Sequence, residues 1–411
     1  MGYNRGSFLL AFSLAPFNNS NPATEEELQN PFLPEQDLIP RLIARAKGIG
    51  FLADQILRAN YRRLGSPMKL NWAVTYWCQY KCKTCNIWKL KPQNELTTEE
   101  ILDFVRCNPN FSWLDLTGGE IFLRQDIAEI LEAIARNWQR LVLLHFPTNG
   151  YLTERILKTA ARIAKLFSFS LIVTVSLDGP EQLNDEIRGI KGGYRRQMET
   201  FKALRKIRGI KAVLGMTISR FNLGQSEATL QACLRECPDL DVKDFHVNAA
   251  QLSGHYYGNS NISNILAPGK EVAGEIRSLT KRRGVDIAPS SLLEKTYLRR
   301  LERFLETGYT PMRCHSLRSS CFIDPWGQVF PCITYSRKLG SLRDTHMKLE
   351  PIWISKEART LQQDIWDFKC PQCWTACEAY HSVLGNLLRP SNRQVFSSPE
   401  TRGELQNISN W

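Results

Sequence analysis

The stretch LNWAVTYWCQYKCKTC, Leu70 to Cys85, decides how the rest of this chain is read. Its first half, Leu70 to Tyr76, is apolar and rich in β-formers, which predicts a buried strand. The second half sets Cys78, Cys82 and Cys85 at C-x3-C-x2-C spacing directly after that strand. With twelve cysteines among 411 residues, such a run arises by chance in roughly one chain in a hundred. Three close thiolates on one loop can hold three irons of a [4Fe–4S] cube and leave the fourth without a protein ligand. A structural zinc site asks for four ligands, and the nearest additional candidates here are not histidines.

Outward from that stretch, the text alternates between strand and helix patterns. Thr97 and Glu100 form a capping box that opens a helix through Phe104. Strand patterns follow at Trp113–Leu116, Leu141–Phe146, Leu171–Gly179, Ala212–Ser219 and Asp244–Gln251. Between them lie helical patterns over Ile127–Asn137, Thr153–Leu166, Arg195–Ile207 and Ser226–Arg235. Six such units in order predict a parallel sheet, either doubly wound or curled into an open barrel. In both cases function belongs to the loops after the strand carboxyl ends. The cysteine loop sits there, and so does the turn Thr117-Gly118-Gly119-Glu120.

The flanks are different. Phe8–Phe17 has the look of a short signal-peptide core, but lacks a basic run before it and a small-residue cleavage site after it. Residues 1–37 are expected to be a disordered tail and linker, and 38–66 an amphipathic basic helix suited to capping the core or touching a membrane surface. The core is expected over 67–310. Its last part is basic and helical (Lys270–Thr307), with the runs Lys281-Arg282-Arg283 and Arg299-Arg300 expected on solvated faces. Residues 311–387 hold six cysteines around a hairpin signal, Phe322–Cys332, that turns at Asp324-Pro325-Trp326-Gly327. Residues 388–411 are expected to be a second disordered tail.

Composition excludes several classes. With 43% hydrophobic and 23% charged residues the chain can bury a core, and it is neither collagen-like nor a disulfide scaffold. No run reaches the roughly 20 apolar residues of a spanning helix. The formal charge of +12 is a mild bias on this length, compatible with an anionic partner but most simply a solvated surface, and no nucleic acid is expected. Clustered rather than scattered cysteines point to metal ligation, and with the absence of a convincing secretion signal to the cytoplasm. Cys107, Cys233 and Cys237 fall in or beside helical patterns and are expected to be buried small hydrophobes.

These motifs, in this order, resemble the radical S-adenosylmethionine (SAM) superfamily over about Lys69–Asn248, with a SPASM- or Twitch-like auxiliary iron–sulfur domain over Cys314–Cys377. The resemblance implies an α/β fold, a partial (β/α)6 TIM-like barrel followed by a small α+β domain. It implies a SAM-binding [4Fe–4S] cluster on Cys78, Cys82 and Cys85, with Gly118, Gly119, Glu120, Thr148, Asn149, Ser176, Asp178 and Arg188 at the cofactor. The family often has an aromatic residue before the third cysteine; here it is Thr84. For one auxiliary [4Fe–4S] cluster the resemblance implies Cys314, Cys332, Cys370 and Cys373, with Cys321 and Cys377 as possible replacements. The chemistry so implied is reductive cleavage of SAM to a 5′-deoxyadenosyl radical that takes hydrogen from a small-molecule, peptide or lipid substrate, with flavodoxin or ferredoxin as reductant. His246 and Asn248 are candidates for facing that substrate or for ordinary core positions. A non-catalytic zinc or iron–sulfur binding protein, such as a sensor, is the alternative.

Overall fold

The computed structural model describes residues 35–166, 170–262, 264–284 and 287–388. The expected tails, with Phe8–Phe17, lie outside them apart from 35–37 and Leu388. The first helix, α1, runs Glu35–Tyr61. Past it, Gly65-Ser66-Pro67 breaks helical pairing, and β1 begins, Lys69–Thr75, with all seven residues buried.

Five further parallel strands follow: β2 (Trp113–Gly118), β3 (Leu143–Thr148), β4 (Ser170–Ser176), β5 (Ile210–Ile218) and β6 (Phe245–Ala249). The helices between them are α2 (Thr98–Cys107), α3 (Ile127–Asn137), α4 (Thr153–Leu166), α5 (Glu181–Arg188), α6 (Gly193–Leu204) and α7 (Ser226–Glu236). The capping box forms as expected: Glu100 N donates to Thr97 Oγ1, and Thr97 N donates to the Glu100 carboxylate. Four buried side chains on α3 (Ile127, Ile130, Leu131 and Ile134) lie at i, i+3, i+4 and i+7, and seat it on the sheet. Strand β3 starts two residues later than its sequence pattern and runs on through Pro147. Its pairing with β2 stops at His145, whereas pairing with β4 continues to Thr148. Proline has no N–H to give on one side of the ladder, which fits that asymmetry.

After β6 come α8 (Gly269–Arg282) and α9 (Pro289–Thr307). The chain then crosses back to the β1 edge of the sheet rather than pairing with β6: β7 (Ser320–Ile323) lies parallel to β1. Strands β8 (Gln328–Phe330) and β9 (Gly340–Ser341) extend it antiparallel, giving the order β6-β5-β4-β3-β2-β1-β7-β8-β9. The carboxyl-terminal hairpin therefore continues the sheet that carries the first cysteine loop. Three last helices, α10 (Glu350–Trp353), α11 (Lys356–Trp366) and α12 (Ala376–Gly385), close the chain. Arg343 beyond β9 pairs with Glu100 of the capping box at 2.6 Å, tying the two ends of the fold.

Two expectations are corrected by burial. Cys107 is exposed at the end of α2, while Cys233 and Cys237 are buried as expected; the last residue of an amphipathic helix has turned off its apolar face. Arg283, unlike exposed Lys281 and Arg282, turns inward, where the Glu294 carboxylate of α9 (3.2 Å) and the Phe245 carbonyl at the start of β6 accept from it. Among the described residues no helix is long and apolar enough to cross a membrane.

Candidate functional site

Residues two apart on a strand face the same side, and here one set of alternating residues lines a single cavity of about 510 Å³. Trp113, Asp115 and Thr117 of β2 line it, as do Leu143, His145 and Pro147 of β3, and Lys211, Val213, Gly215 and Thr217 of β5. The sheet is thus curled around a lumen, an open barrel with β6 not returning to β1. The upper end of this lumen holds Cys78, Cys82 and Cys85 together with Thr84.

The cysteine loop is held from three sides. Gly119 N donates to Thr75 O (2.7 Å) and Glu120 N to Trp77 O (2.8 Å). Lys81 N and Lys83 N donate to Arg188 O and Ile187 O, at 3.1 and 2.8 Å, at the end of α5. Asn86 N donates to Tyr257 O (2.8 Å), and Asn259 Nδ2 to Thr84 O (3.0 Å). The glycine pair is required sterically. A Cβ on Gly119 would lie 2.2 Å from Trp77 O and 3.1 Å from Cys78 Cβ; on Gly118, at φ +142°, it would lie 2.1 Å from Thr75 O. Burial pushes the Cys78 and Cys85 thiols up to about 12 and raises Cys82 as well. Metal uptake must therefore release protons from all three. Among the described residues no three His, Cys, Asp or Glu side chains are gathered as for a single ion; the three thiols instead rim one lumen, a donor set suited to the corners of a cube.

Of the residues expected at a cofactor, Gly118, Gly119, Thr148, Asn149, Ser176, Asp178 and Arg188 all line this end of the lumen. Arg188 Nη1 meets Asp178 Oδ2 at 2.7 Å, and its guanidinium lies 5.4 Å from the centre of the Tyr80 ring. Burial opposes the charge of Arg188, but Cys82 and Asp178 outweigh it and raise its pKa. Arg188 Nε and Asn149 Nδ2 are buried donors with no protein partner, so the cavity wall offers two unmet N–H groups to a polar ligand. Glu120 stands one layer back. Its carboxylate accepts from Thr148 Oγ1 (3.0 Å), Asn149 N (2.7 Å) and Phe122 N (3.3 Å), which fixes the end of β3 against the glycine turn. Burial lifts its pKa to about 7 against those hydrogen bonds.

A second, smaller pocket is lined by Cys314, Cys332, Cys370 and Cys373. Every one of these sulfurs has a donor aimed at it: Ser316 N to Cys314 (3.4 Å), Tyr335 N to Cys332 (3.3 Å), Gln372 Nε2 to Cys370 (3.7 Å) and Thr334 Oγ1 to Cys373 (3.4 Å). Donors to sulfur are what a ligated thiolate uses and a neutral thiol scarcely needs, so this donor set fits a cluster. The two possible replacements stand elsewhere. Cys321 is buried in β7 opposite Leu70, and Cys377 lines the barrel lumen.

Sequence reasoning missed the polar belt midway down the lumen. Asp115 bonds Lys69 (2.8 Å) and His145 (3.2 Å), and both neighbours offset its burial and depress its pKa. Glu294 gathers His246 (3.2 Å), Arg283 and Tyr380 Oη. The only signal was a charged residue at an inward strand position, Asp115 within WLDL. His246 does line the lumen, whereas Asn248 also accepts from Tyr297 Oη at 2.7 Å.

Comparison with known proteins agrees with this layout. A family model described as the radical SAM superfamily matches residues 72–232, and one described as an iron–sulfur cluster-binding domain, SPASM, matches 314–378. An AdoMet-dependent heme synthase of Oleidesulfovibrio alaskensis is 25% identical over 83% of this chain and 88% of its own. The subtilosin biosynthesis protein AlbA of Bacillus subtilis is 23% identical over 76% and 64%. A pre-heme d1 synthase of Dinoroseobacter shibae is 32% identical over 46% and 45%. Among solved structures, anSMEcpe with bound AdoMet shares the fold with TM-score 0.54 at 14% identity, over 84% of this chain and 99% of that one. SuiB of Streptococcus suis bound to precursor peptide SuiA shares it with TM-score 0.52 at 17% identity, over 75% and 68%.

Proposed function

For this chain, a radical SAM enzyme with a carboxyl-terminal SPASM iron–sulfur domain, we propose that Cys78, Cys82 and Cys85 hold the SAM-binding [4Fe–4S] cluster and that the barrel lumen holds the substrate. The single observation that carries this is the convergence of those three thiols with Gly118, Gly119, Asn149 and Arg188 on one end of one cavity. A cluster with one iron open to SAM supplies the electron that splits SAM into methionine and a 5′-deoxyadenosyl radical, which takes hydrogen from the substrate.

The protein's own residues do the positioning. The Gly118–Gly119 backbone lets a ligand approach the cysteine loop without a side chain between them. Arg188 and Asn149 offer their unmet N–H groups to the carboxylate and ribose oxygens of SAM, and Asp178 keeps Arg188 in place. Glu120 anchors Thr148 and Asn149, and in its ionised form adds a negative charge near a bound amino group. Water is kept from this end by the tight packing of Tyr76, Tyr256 and Phe322 beneath the loop.

Cys314, Cys332, Cys370 and Cys373 are proposed to hold the auxiliary cluster, whose full set of four thiolates suits electron transfer rather than substrate binding. Flavodoxin or ferredoxin in a reducing compartment, the cytoplasm, is the proposed electron source. Exposed Ile43, Ile49, Leu57 and Tyr61 on basic α1 support a peripheral membrane contact. The substrate is a small molecule or a peptide.

Anaerobic purification tests the reading. The protein should be brown, carry about eight irons per chain if both sites hold cubes, and release 5′-deoxyadenosine from SAM with dithionite. A colourless protein containing zinc overturns it.

A further inference from the structure

The cysteine loop has an inner and an outer face. Cys78, Tyr80, Cys82, Thr84 and Cys85 line the lumen. Trp77, Lys81, Lys83, Lys89, Leu90 and Lys91 do not, and all six are exposed. SAM and substrate engage only the inner face.

The outer face carries charge of one sign. From Lys69 to Asn94 the sequence holds no Asp or Glu, and the next residue, Glu95, is occupied by Thr75 Oγ1 (2.9 Å) and Tyr76 N (2.6 Å), both of which donate to it. The carboxylates of neighbouring α5 are engaged as well: Glu186 by Lys83 (2.5 Å), Glu181 by Arg195 (2.6 Å) and Asp185 by Gly192 N and Tyr194 N. Lys81, Lys89 and Lys91 have no carboxylate within ion-pair distance among the described residues. Among these lysines stand two large apolar side chains, Trp77 at 48% exposure and Leu90 at 45%. Exposed apolar groups set among lysines suit a protein partner, and the charge selects an acidic one.

Each thiol has one of these groups beside it. Trp77 precedes Cys78, and Lys81 and Lys83 flank Cys82. Lys89 Nζ lies 5.1 Å from the centre of the Trp88 ring, whose Nε1 donates to Cys85 O at 3.0 Å. A partner seated on the outer face is thus separated from the thiols by the thickness of one loop.

We propose that Trp77, Lys81, Lys89, Leu90 and Lys91 dock the small acidic one-electron carrier that feeds this site. In each encounter the carrier is oxidised by one electron. That electron ends in the carbon–sulfur bond of SAM that breaks, giving methionine and the 5′-deoxyadenosyl radical. Such encounters are brief and bury little area. The proposal rests on the reading of the three thiols as the SAM-cleaving site, and it adds where the electron enters and what surface delivers it.

The test is 5′-deoxyadenosine release by the full iron-loaded chain, driven by reduced flavodoxin, by reduced ferredoxin or by excess dithionite. Every carrier-driven rate is divided by the dithionite-driven rate of the same variant, so that damage to the cysteine loop cancels. With at least one carrier, the concentration giving half-maximal rate should rise severalfold between about 50 and about 500 mM NaCl, because salt screens exposed charges. K89E/K91E should raise it about tenfold at low salt, the combined effect of reversing two exposed charges, and K89Q/K91Q should raise it less. The control is K47E/K206E. Both of its lysines are exposed near strand amino ends, Lys47 beside Gly48, which abuts Arg140 ahead of β3, and Lys206 ahead of β5; it should leave the concentration unchanged. Carrier-driven rates that ignore both salt and K89E/K91E, or that respond equally to K47E/K206E, overturn the proposal, as does a wild-type protein that dithionite drives and neither carrier can. A wild-type protein that releases no 5′-deoxyadenosine even with dithionite marks failure of the underlying reading instead.

Discussion

Replacing Gly119 with alanine is the sharpest perturbation of the cysteine loop. The added Cβ would stand 2.2 Å from Trp77 O and 2.7 Å from Trp77 C, where real Cβ atoms keep at least 3.0 Å. Both obstacles are backbone, so no side chain can swing aside, and the loop must retreat by about 1 Å. Overpacking of this kind costs about 1–3 kcal/mol. The retreat also strains the Gly119 N–Thr75 O and Glu120 N–Trp77 O hydrogen bonds, each worth about 1 kcal/mol. A total near 2–5 kcal/mol is expected. Cys78 follows Trp77 directly, and a shift of about 1 Å in a reacting group can cost on the order of a hundredfold in rate. The control is Gly50→Ala in α1, where a Cβ meets nothing within 4 Å; it should be neutral or stabilise by up to about 1 kcal/mol. Thermal unfolding, iron per chain after anaerobic reconstitution and 5′-deoxyadenosine release would be measured on both variants. Full iron loading and wild-type turnover in G119A would refute the steric reasoning.

Other outcomes follow from the same geometry. Arg188→Ala leaves Asp178, 4% exposed, without its cation; a loss of about 3–5 kcal/mol is expected, along with weaker SAM binding by calorimetry, and wild-type stability would count against the pair. Cys373→Ser should remove about half of the iron, whereas Cys321→Ser should leave it unchanged; the reverse result would reassign the auxiliary ligands. Glu120 gives a pH signature in SAM-free protein. Burial lifts its folded pKa to about 7, above the ordinary carboxyl value of 4.5, so between those values the native state holds a proton that the unfolded state has lost. Its contribution to stability is therefore intact below about pH 4.5, falls as pH rises to 7, and levels off above. Denaturant titrations of Glu120→Gln across that range should show a shallower decline than wild type, and an unchanged slope would refute the assignment.

What could be read before folding was local. The patterns over Ile127–Asn137 and Thr153–Leu166 match the observed helices residue for residue, because a 3.6-residue apolar rhythm needs no partner to be visible. The capping box and the hairpin turn at Asp324–Gly327 were legible for the same reason. The return of β7 to the side of β1 was not, since Leu70 and Cys321 meet across some 250 residues and neither strand names its partner. The Lys69–Asp115 pair was hidden likewise: each lies in a strand that reads as apolar, and only their apposition explains two buried charges. Cysteine spacing announced ligation but could not say which thiols share a pocket, and so Cys377 was grouped with its sequence neighbours although helix α12 turns it into the lumen. Arg283 was hidden by the opposite bias, since a run of three basic residues reads as surface.

The most direct measurement is electron paramagnetic resonance of the dithionite-reduced Cys373→Ser protein, which isolates the cluster of Cys78, Cys82 and Cys85, recorded with and without SAM. An iron open to SAM requires the signal to shift on SAM addition, and the same sample to yield 5′-deoxyadenosine. A signal that ignores SAM, or that survives replacement of Cys82 by serine, would contradict the assignment of this loop.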